Sequence, residues 1–502
     1  MLASQLRRRV LQMKENILMN LSPKKPKYRL KFHLMPPKGW MNDPNGLCFY
    51  KGLFHVFFQY APSGPCAYER YWGHYTSPYC LHWKYEGIAI KSDCPWDRNG
   101  AFSGCAFTDD GLLEIFYTGN VEEEGDYDYV HTGRGANVIY LQSEDGVHFS
   151  EKKLILTNKD YPEDYTCHVR DPKVWKENGT YHMVLGGRKN NDKGAILHYS
   201  SKDKMHWDFE EELTSGEYFG FMWECPDWFV LNGTPILMCC PQGVHGEEYQ
   251  YQNPHQAGYW IGLKTESNTF AELDKGFDFY APQTFAAPDG RRILYGWAGV
   301  SEMDKEYCNT PIIEEGWQHS LTVPRELTCV NGVIRQQPVR ELESLRYDKQ
   351  VVANGETVVY CDVFDLEIIY HDGPIDLTGI SSATEERGET SEVYFAENGE
   401  RKEVKLSEDV LIVWQEGIFT LQFLNDSGCG RKLRKAKIKT LRNMRILKDV
   451  SLLEIYINDG ACVFTARYFP VDTEHTVIEV SGSSSAILWK MNPMEVDLTN
   501  GE

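Results

Sequence analysis

Five spaced copies of one strand–turn–strand unit constrain this chain more than any other feature of its sequence. Pro44 leads to a turn glycine at Gly52 and the run His55–Phe58; Gly104 leads to Gly111 and Leu112–Tyr117; Pro172 leads to Gly179 and Tyr181–Leu185. Pro226 then leads to Gly233 and Ile236–Cys239, and Gln283 to Gly290 and Ile293–Tyr295. The offset from start to glycine is 7 residues in four copies and 8 in the first, and the starts lie 60, 68, 54 and 57 residues apart. Each interval leaves room for two further strands. Five four-stranded blades around an axis fit this spacing. An irregular sandwich would also give hairpins, but not a near-constant offset.

The residues before each unit are Asn42-Asp43, Phe102-Ser103, Arg170-Asp171, Glu224-Cys225 and Tyr280-Ala281-Pro282. If the units are equivalent, these five groups meet at one end of the central channel, and three of them bring a carboxylate. Asp43 sits in Trp40-Met41-Asn42-Asp43-Pro44-Asn45-Gly46, dense in turn formers. Trp40 and Met41 would be costly to expose there, whereas an aromatic wall beside a carboxylate suits a sugar pocket. Two carboxylates flanking a bond is the layout of glycoside hydrolysis. The donors around Asp43 should keep it ionised and nucleophilic. The aromatic and sulfur neighbours of Glu224 (Trp223, Cys225, Trp228, Phe229) should disfavour its charged form and make it the general acid/base. Arg170 beside Asp171 should hold that carboxylate as an anion, suited to fixing hydroxyls and stabilising positive charge. Singly, each group is equally at home as a structural turn or strand-end residue; the repeat gives them joint meaning.

The 502 residues leave space for more than one domain, and the expected division is a helical extension over 1–26, the propeller over 27–338, a helical linker over 339–349 and a β-sandwich over 350–492. The second all-β unit is read from runs at Val351–Val359, Val410–Trp414, Phe419–Phe423, Leu452–Ile457, Val463–Phe469 and Thr476–Val480. Asn458-Asp459-Gly460 marks a hairpin, and charged loops such as Glu385–Glu389 separate strands. Fifty-two basic against 73 acidic residues give a net charge of −21, which argues against nucleic acid or an anionic membrane as partner. Met1–Asn20 carries Arg7-Arg8-Arg9 and a broken apolar pattern, a short amphipathic helix rather than a signal peptide. Fourteen scattered cysteines without a C-x-x-C pair then read as reduced thiols, and the expected compartment is cytoplasmic. His55, His74 and His182 are scattered in strand runs and read as packed, so neither a metal nor a cofactor is expected. Nothing in the sequence sets an oligomeric state.

Several motifs resemble glycoside hydrolase family 32, the β-fructofuranosidases. They are His33–Gly46, Phe58-Gln59-Tyr60, Tyr71-Trp72-Gly73-His74, Phe102-Ser103-Gly104, Arg170-Asp171-Pro172, Trp223–Asp227 and Phe277–Gln283, with Glu454–Gly460 resembling the family's second-domain motif. The resemblance spans about 27 to 490. It implies a five-bladed propeller plus sandwich and a retaining, metal-free double displacement on sucrose, sucrose 6-phosphate or short fructo-oligosaccharides. Asp43 is then the nucleophile, Glu224 the acid/base and Asp171 the transition-state stabiliser. Trp40, Asn42, Gln59, Trp72, Phe102, Ser103, Arg170, Tyr280 and Trp297 are the expected substrate-binding residues. Retention calls for Asp43 and Glu224 carboxyls roughly 5–5.5 Å apart. The same triad serves fructan exo-hydrolases and fructosyltransferases, and a catalytically dead binding protein would have no need of the intact pair. A phosphorylated leaving group would want a cation at the rim; Lys38, Arg70, Arg188 and Lys189 are the candidates.

Overall fold

The computed structural model describes residues 26–499 apart from 263–264, 267–268, 303–306, 371–400 and 483. The expected N-terminal helix and the Glu385–Glu389 loop therefore lie outside the described residues. Every one of the five repeated units is a β-hairpin, and each turn glycine falls at its tip with positive φ (Gly52, Gly111, Gly179, Gly233, Gly290). The inner strands are Gly39–Tyr50, Ala101–Asp109, Tyr165–Glu177, Met222–Leu231 and Tyr280–Ala286. Each opens a meandering four-stranded antiparallel sheet, and consecutive inner strands touch, the fifth against the first. The result is a closed five-bladed propeller.

The aromatic residues lie largely between blades. Tyr50, Phe57, Trp72 and Tyr117 fill the layer between blades one and two, and Trp223, Trp260 and Phe270 that between three and four. Two histidine pairs sit in such layers: His55 Nδ1 faces His74 Nε2 at 3.0 Å, and His182 Nδ1 faces His198 Nε2 at 3.0 Å.

Two short strands extend the first blade. Trp317–Gln318 pairs in parallel with its inner strand, and Glu495–Asp497 pairs in parallel with its outer strand, His82–Ile90. A 3₁₀ helix, Arg340–Leu345, follows the last blade where a helical connector was expected. Two six-stranded antiparallel sheets then form the sandwich. The run Val351–Val359, read as one strand, is divided: Arg346–Val352 belongs to one sheet and Thr357–Cys361 to the other. The four-residue turn 353–356 is polar enough to leave the core, which an alternation count over nine residues averages away. The Asn458-Asp459-Gly460 hairpin joins Leu452–Ile457 to Cys462–Arg467 as expected.

Candidate active site

The repeat places chemistry through a repeated irregularity. In all five blades the pairing of the first two strands shifts register near the inner strand's start, between Met41 and Pro44, Ala101 and Gly104, Arg170 and Lys173, Glu224 and Asp227, and Tyr280 and Gln283. Such bulges bend a strand and re-aim its side chains. Asp171, Cys225 and Ala281, each directly before a proline, take positive φ of 65°, 49° and 46°. Left-handed backbone at non-glycine residues costs on the order of 1–3 kcal/mol each and persists only where the surroundings impose it. The turn formers of Asn42–Gly46 are thus used inside a twelve-residue strand rather than in a free turn.

Asp43, Asp171 and Glu224 line one cavity of about 190 Å³ with Asn42, Gln59, Arg70, Phe102, Ser103, Arg134, His168 and Arg170. A wider cavity of about 450 Å³ opens from it, sharing Asn42, Asp43, Arg70 and Glu224 and walled by Trp40, Tyr280 and Trp297. Asp43 accepts from Ser103 Oγ at 2.6 Å and Asn42 Nδ2 at 3.0 Å, and Trp40 Nε1 fixes Asn42 at 2.7 Å. The Cys225 thiol lies between two carboxylates, 3.7 Å from Asp43 Oδ2 and 3.6 Å from Asp171 Oδ2, and its backbone N–H donates to the latter at 2.9 Å. Glu224 is the most heavily bonded. Arg170 donates to Oε1 through Nε and Nη2 at 3.0 and 2.6 Å, while Gln242 Nε2 and Tyr280 Oη donate to Oε2 at 2.7 and 2.6 Å.

This geometry corrects the charge assignments read from sequence neighbours. Arg170 grips Glu224 rather than Asp171. Against its burial, Arg170 and then Tyr280 hold the Glu224 carboxyl below its ordinary value, not above it. Burial pushes Asp171 up to about 7, against the pull of Arg170 and with the charges of Glu224 and Asp43 adding to the rise. Asp43 also rises: burial outweighs Ser103 and Asn42. The reason is geometric. Successive residues of a regular strand point to opposite faces, so the charged partner of Glu224 comes from a neighbouring strand, Arg170, and not from its sequence neighbours. Trp223 accordingly packs in the layer between blades, its ring tilted against that of Trp260 with centroids 4.8 Å apart.

Gln59 is anchored by Nε2 to Ala101 O at 2.9 Å. Trp72 is fully buried and lines neither cavity; its indole N–H donates to Phe102 O at 3.0 Å, so it supports the segment that carries Phe102 and Ser103. Trp297 packs edge-on to Tyr280 on the wider cavity. His168, Arg134 and Gln242 escaped the sequence reading, and Cys225 was placed at the channel's end without a role. His168 could have been found, because it stands two residues before Arg170 on one strand and so shares its face; Arg170 Nη1 meets its Nδ1 at 2.8 Å. Burial and then Arg170 and Arg134 lower it to about 3, so it is neutral. Gln242 comes from the end of a hairpin's return strand and has no local signal.

The chain matches the family model of the glycosyl hydrolases family 32 N-terminal domain over residues 33–338 and that of the family 32 C-terminal domain over residues 362–492. It is 36% identical over 466 residues to the sucrose-6-phosphate hydrolase of Bacillus subtilis (strain 168), with 90% of this chain and 91% of that protein covered. Among solved structures it resembles a sucrose-6-phosphate hydrolase from Lactobacillus gasseri, with TM-score 0.80, 27% identity and coverage of 96% and 97%. It also resembles a mutant family 32 β-fructofuranosidase of Bombyx mori in complex with sucrose, with TM-score 0.77, 27% identity and coverage of 97% and 98%.

Proposed function

The chain belongs to the glycosyl hydrolases of family 32, and from that premise we propose that Asp43, Glu224 and Asp171 carry out a retaining double displacement on a terminal β-fructofuranosyl unit. The protein is a fructosyl-releasing hydrolase of the β-fructofuranosidase type, acting on a small carbohydrate. The observation that carries the mechanism is the convergence of three carboxylates and Arg170 on one small cavity.

Asp43 attacks the anomeric carbon while Glu224 gives its proton to the departing oxygen. Water, deprotonated by Glu224, then breaks the glycosyl–Asp43 bond and restores both groups. Arg170 holds Glu224 toward its anionic form, so the acid form must be created on binding. A sugar hydroxyl that takes over the Arg170 guanidinium removes the strongest influence lowering Glu224 and leaves burial to raise it. Asp171 then faces the positive charge that develops on the ring. Trp40, Tyr280 and Trp297 supply the apolar walls for the leaving sugar.

The substrates that fit this reading are sucrose, sucrose 6-phosphate and short fructo-oligosaccharides. The compartment that fits is the cytoplasm: all fourteen cysteines are free, as a reducing environment allows, and no helix among the described residues is long and apolar enough to cross a membrane. Fructose release from the three sugars by wild type and by Asp43→Asn tests the assignment. The variant should lose at least about a thousandfold in kcat with the fold intact, since it lacks the nucleophile. Comparable rates in the two proteins would remove Asp43 from the mechanism.

A further inference from the structure

Three arginines line the inner cavity, and two of them are committed. Arg170 holds Glu224 at 2.6 Å, and Arg134 holds Glu122 at 3.0 Å. Arg70 differs. Its two hydrogen bonds among the described residues both leave from Nη1, to the main-chain oxygens of Ala67 at 3.0 Å and Glu69 at 2.9 Å, and it forms no ion pair there. The arm is therefore fixed through backbone while the Nε and Nη2 edge remains for a ligand. It lies on both cavities, at the passage from the carboxylates to the aromatic walls, with its guanidinium 5.7 Å from the Trp40 ring centre. The other rim candidates are accounted for. Arg188 pairs with Asp192, Lys189 with Asp164 and Glu212, and Lys38 is exposed and lines neither cavity.

Asp43 and Glu69 act on this half-buried guanidinium through space, but no carboxylate among the described residues is in direct contact with it, and a ligand anion would supply that contact. The planar fork of Arg70 matches the spacing of two phosphate oxygens, which a sugar hydroxyl cannot equal. We propose that Arg70 is the specificity-determining residue for a phosphorylated leaving group, binding the phosphate of a departing hexose phosphate at the mouth of the fructosyl pocket. The inference rests on the fructosidase reading and adds to it the group that senses the anion. The other carboxylates on the wider cavity are Asp43 and Glu224 at the reacting centre and Glu302. Among the described residues that line this cavity Arg70 is the cation, so it is where an anionic substituent meets attraction rather than repulsion.

The test measures kcat/KM of wild type, Arg70→Gln and Arg70→Lys on three sugars: sucrose, sucrose 6-phosphate and sucrose phosphorylated on its fructosyl ring. Calorimetry of glucose 6-phosphate and glucose runs beside it. In Arg70→Gln the preference for sucrose 6-phosphate over sucrose should fall about 30-fold, the loss of a charged hydrogen-bonded pair, and mostly through KM. Arg70→Lys should recover part of it. Glucose 6-phosphate should bind the Gln variant about tenfold more weakly, and glucose no differently. A preference ratio within threefold of wild type, or an equal loss on both sugars, overturns the proposal. So does a loss confined to the sugar phosphorylated on fructose, which would move the anion into the inner cavity. If wild type cleaves none of the three sugars, the fructosidase reading fails by itself, and the calorimetry still decides for or against Arg70.

Discussion

At the scale of single residues the site works by setting three neighbouring carboxylates to different tasks. Burial would raise all of them, and the donors each one finds decide the outcome. Glu224 has Arg170, Tyr280 and Gln242; Asp43 has only Ser103, Asn42 and a thiol. Asp43 must be an anion to attack, so its raised value sets an acid limb in kcat/KM, which reports the free enzyme. The Ser103 hydroxyl is the largest of the influences that lower it. In Ser103→Ala that influence is gone and Asp43 rises further. It then holds its proton to higher pH, and the acid limb moves to higher pH. A pH–rate profile in which the limb stays put or moves to lower pH would show that another group sets it.

At the scale of elements, the sequence gives up strands and turns but not the partners across them. The five hairpins were legible because glycine at a fixed offset is local chemistry, and so was the meeting of Asp43, Asp171 and Glu224 at one end of the ring. The ion pair of Arg170 with Glu224 was not, since it joins two blades 54 residues apart. Nor was the Glu495–Asp497 strand on the first blade, whose three exposed residues carry no periodicity. The Asn458-Asp459-Gly460 hairpin was read correctly as a turn, but its second duty was hidden. Gly460 lies against the last blade, its carbonyl accepting from Gln336 N at 3.0 Å, and a Cβ there would come 1.7 Å from Gln336 O. Gly355 has a similar φ, +75° against +76°, with open space around it. Both alanine variants bear the left-handed strain, about 1 kcal/mol, but only Gly460→Ala adds the clash with backbone, for a total of about 3 kcal/mol. Urea midpoints measure this directly; equal shifts in the two variants would mean that the hairpin does not bear on the propeller.

At the scale of the whole molecule, the sandwich is bound to the propeller by a charge network with no exposed side chains. His33 bridges Asp449 at 2.7 Å and Glu454 at 2.9 Å, and Arg325 reaches Glu454 at 2.7 Å and Asp274 at 3.2 Å. Glu454 is held down to about 2 because Arg325, then His33 and Tyr456, override its burial. Removing one partner of such a buried set costs about 3–5 kcal/mol. Its members come from the segment that precedes the first blade, the last two blades and the sandwich, so it ties the sandwich to the ring whose closure brings Asp43 and Glu224 to one cavity. That closure underlies the central claim, a two-step displacement through a glycosyl–Asp43 ester. The most direct test is to let the enzyme cleave sucrose in the presence of methanol and to identify the methyl fructofuranoside formed by NMR. Two inversions at the anomeric carbon predict the β-anomer; methyl α-fructofuranoside as the product would mean a single displacement and would contradict the account.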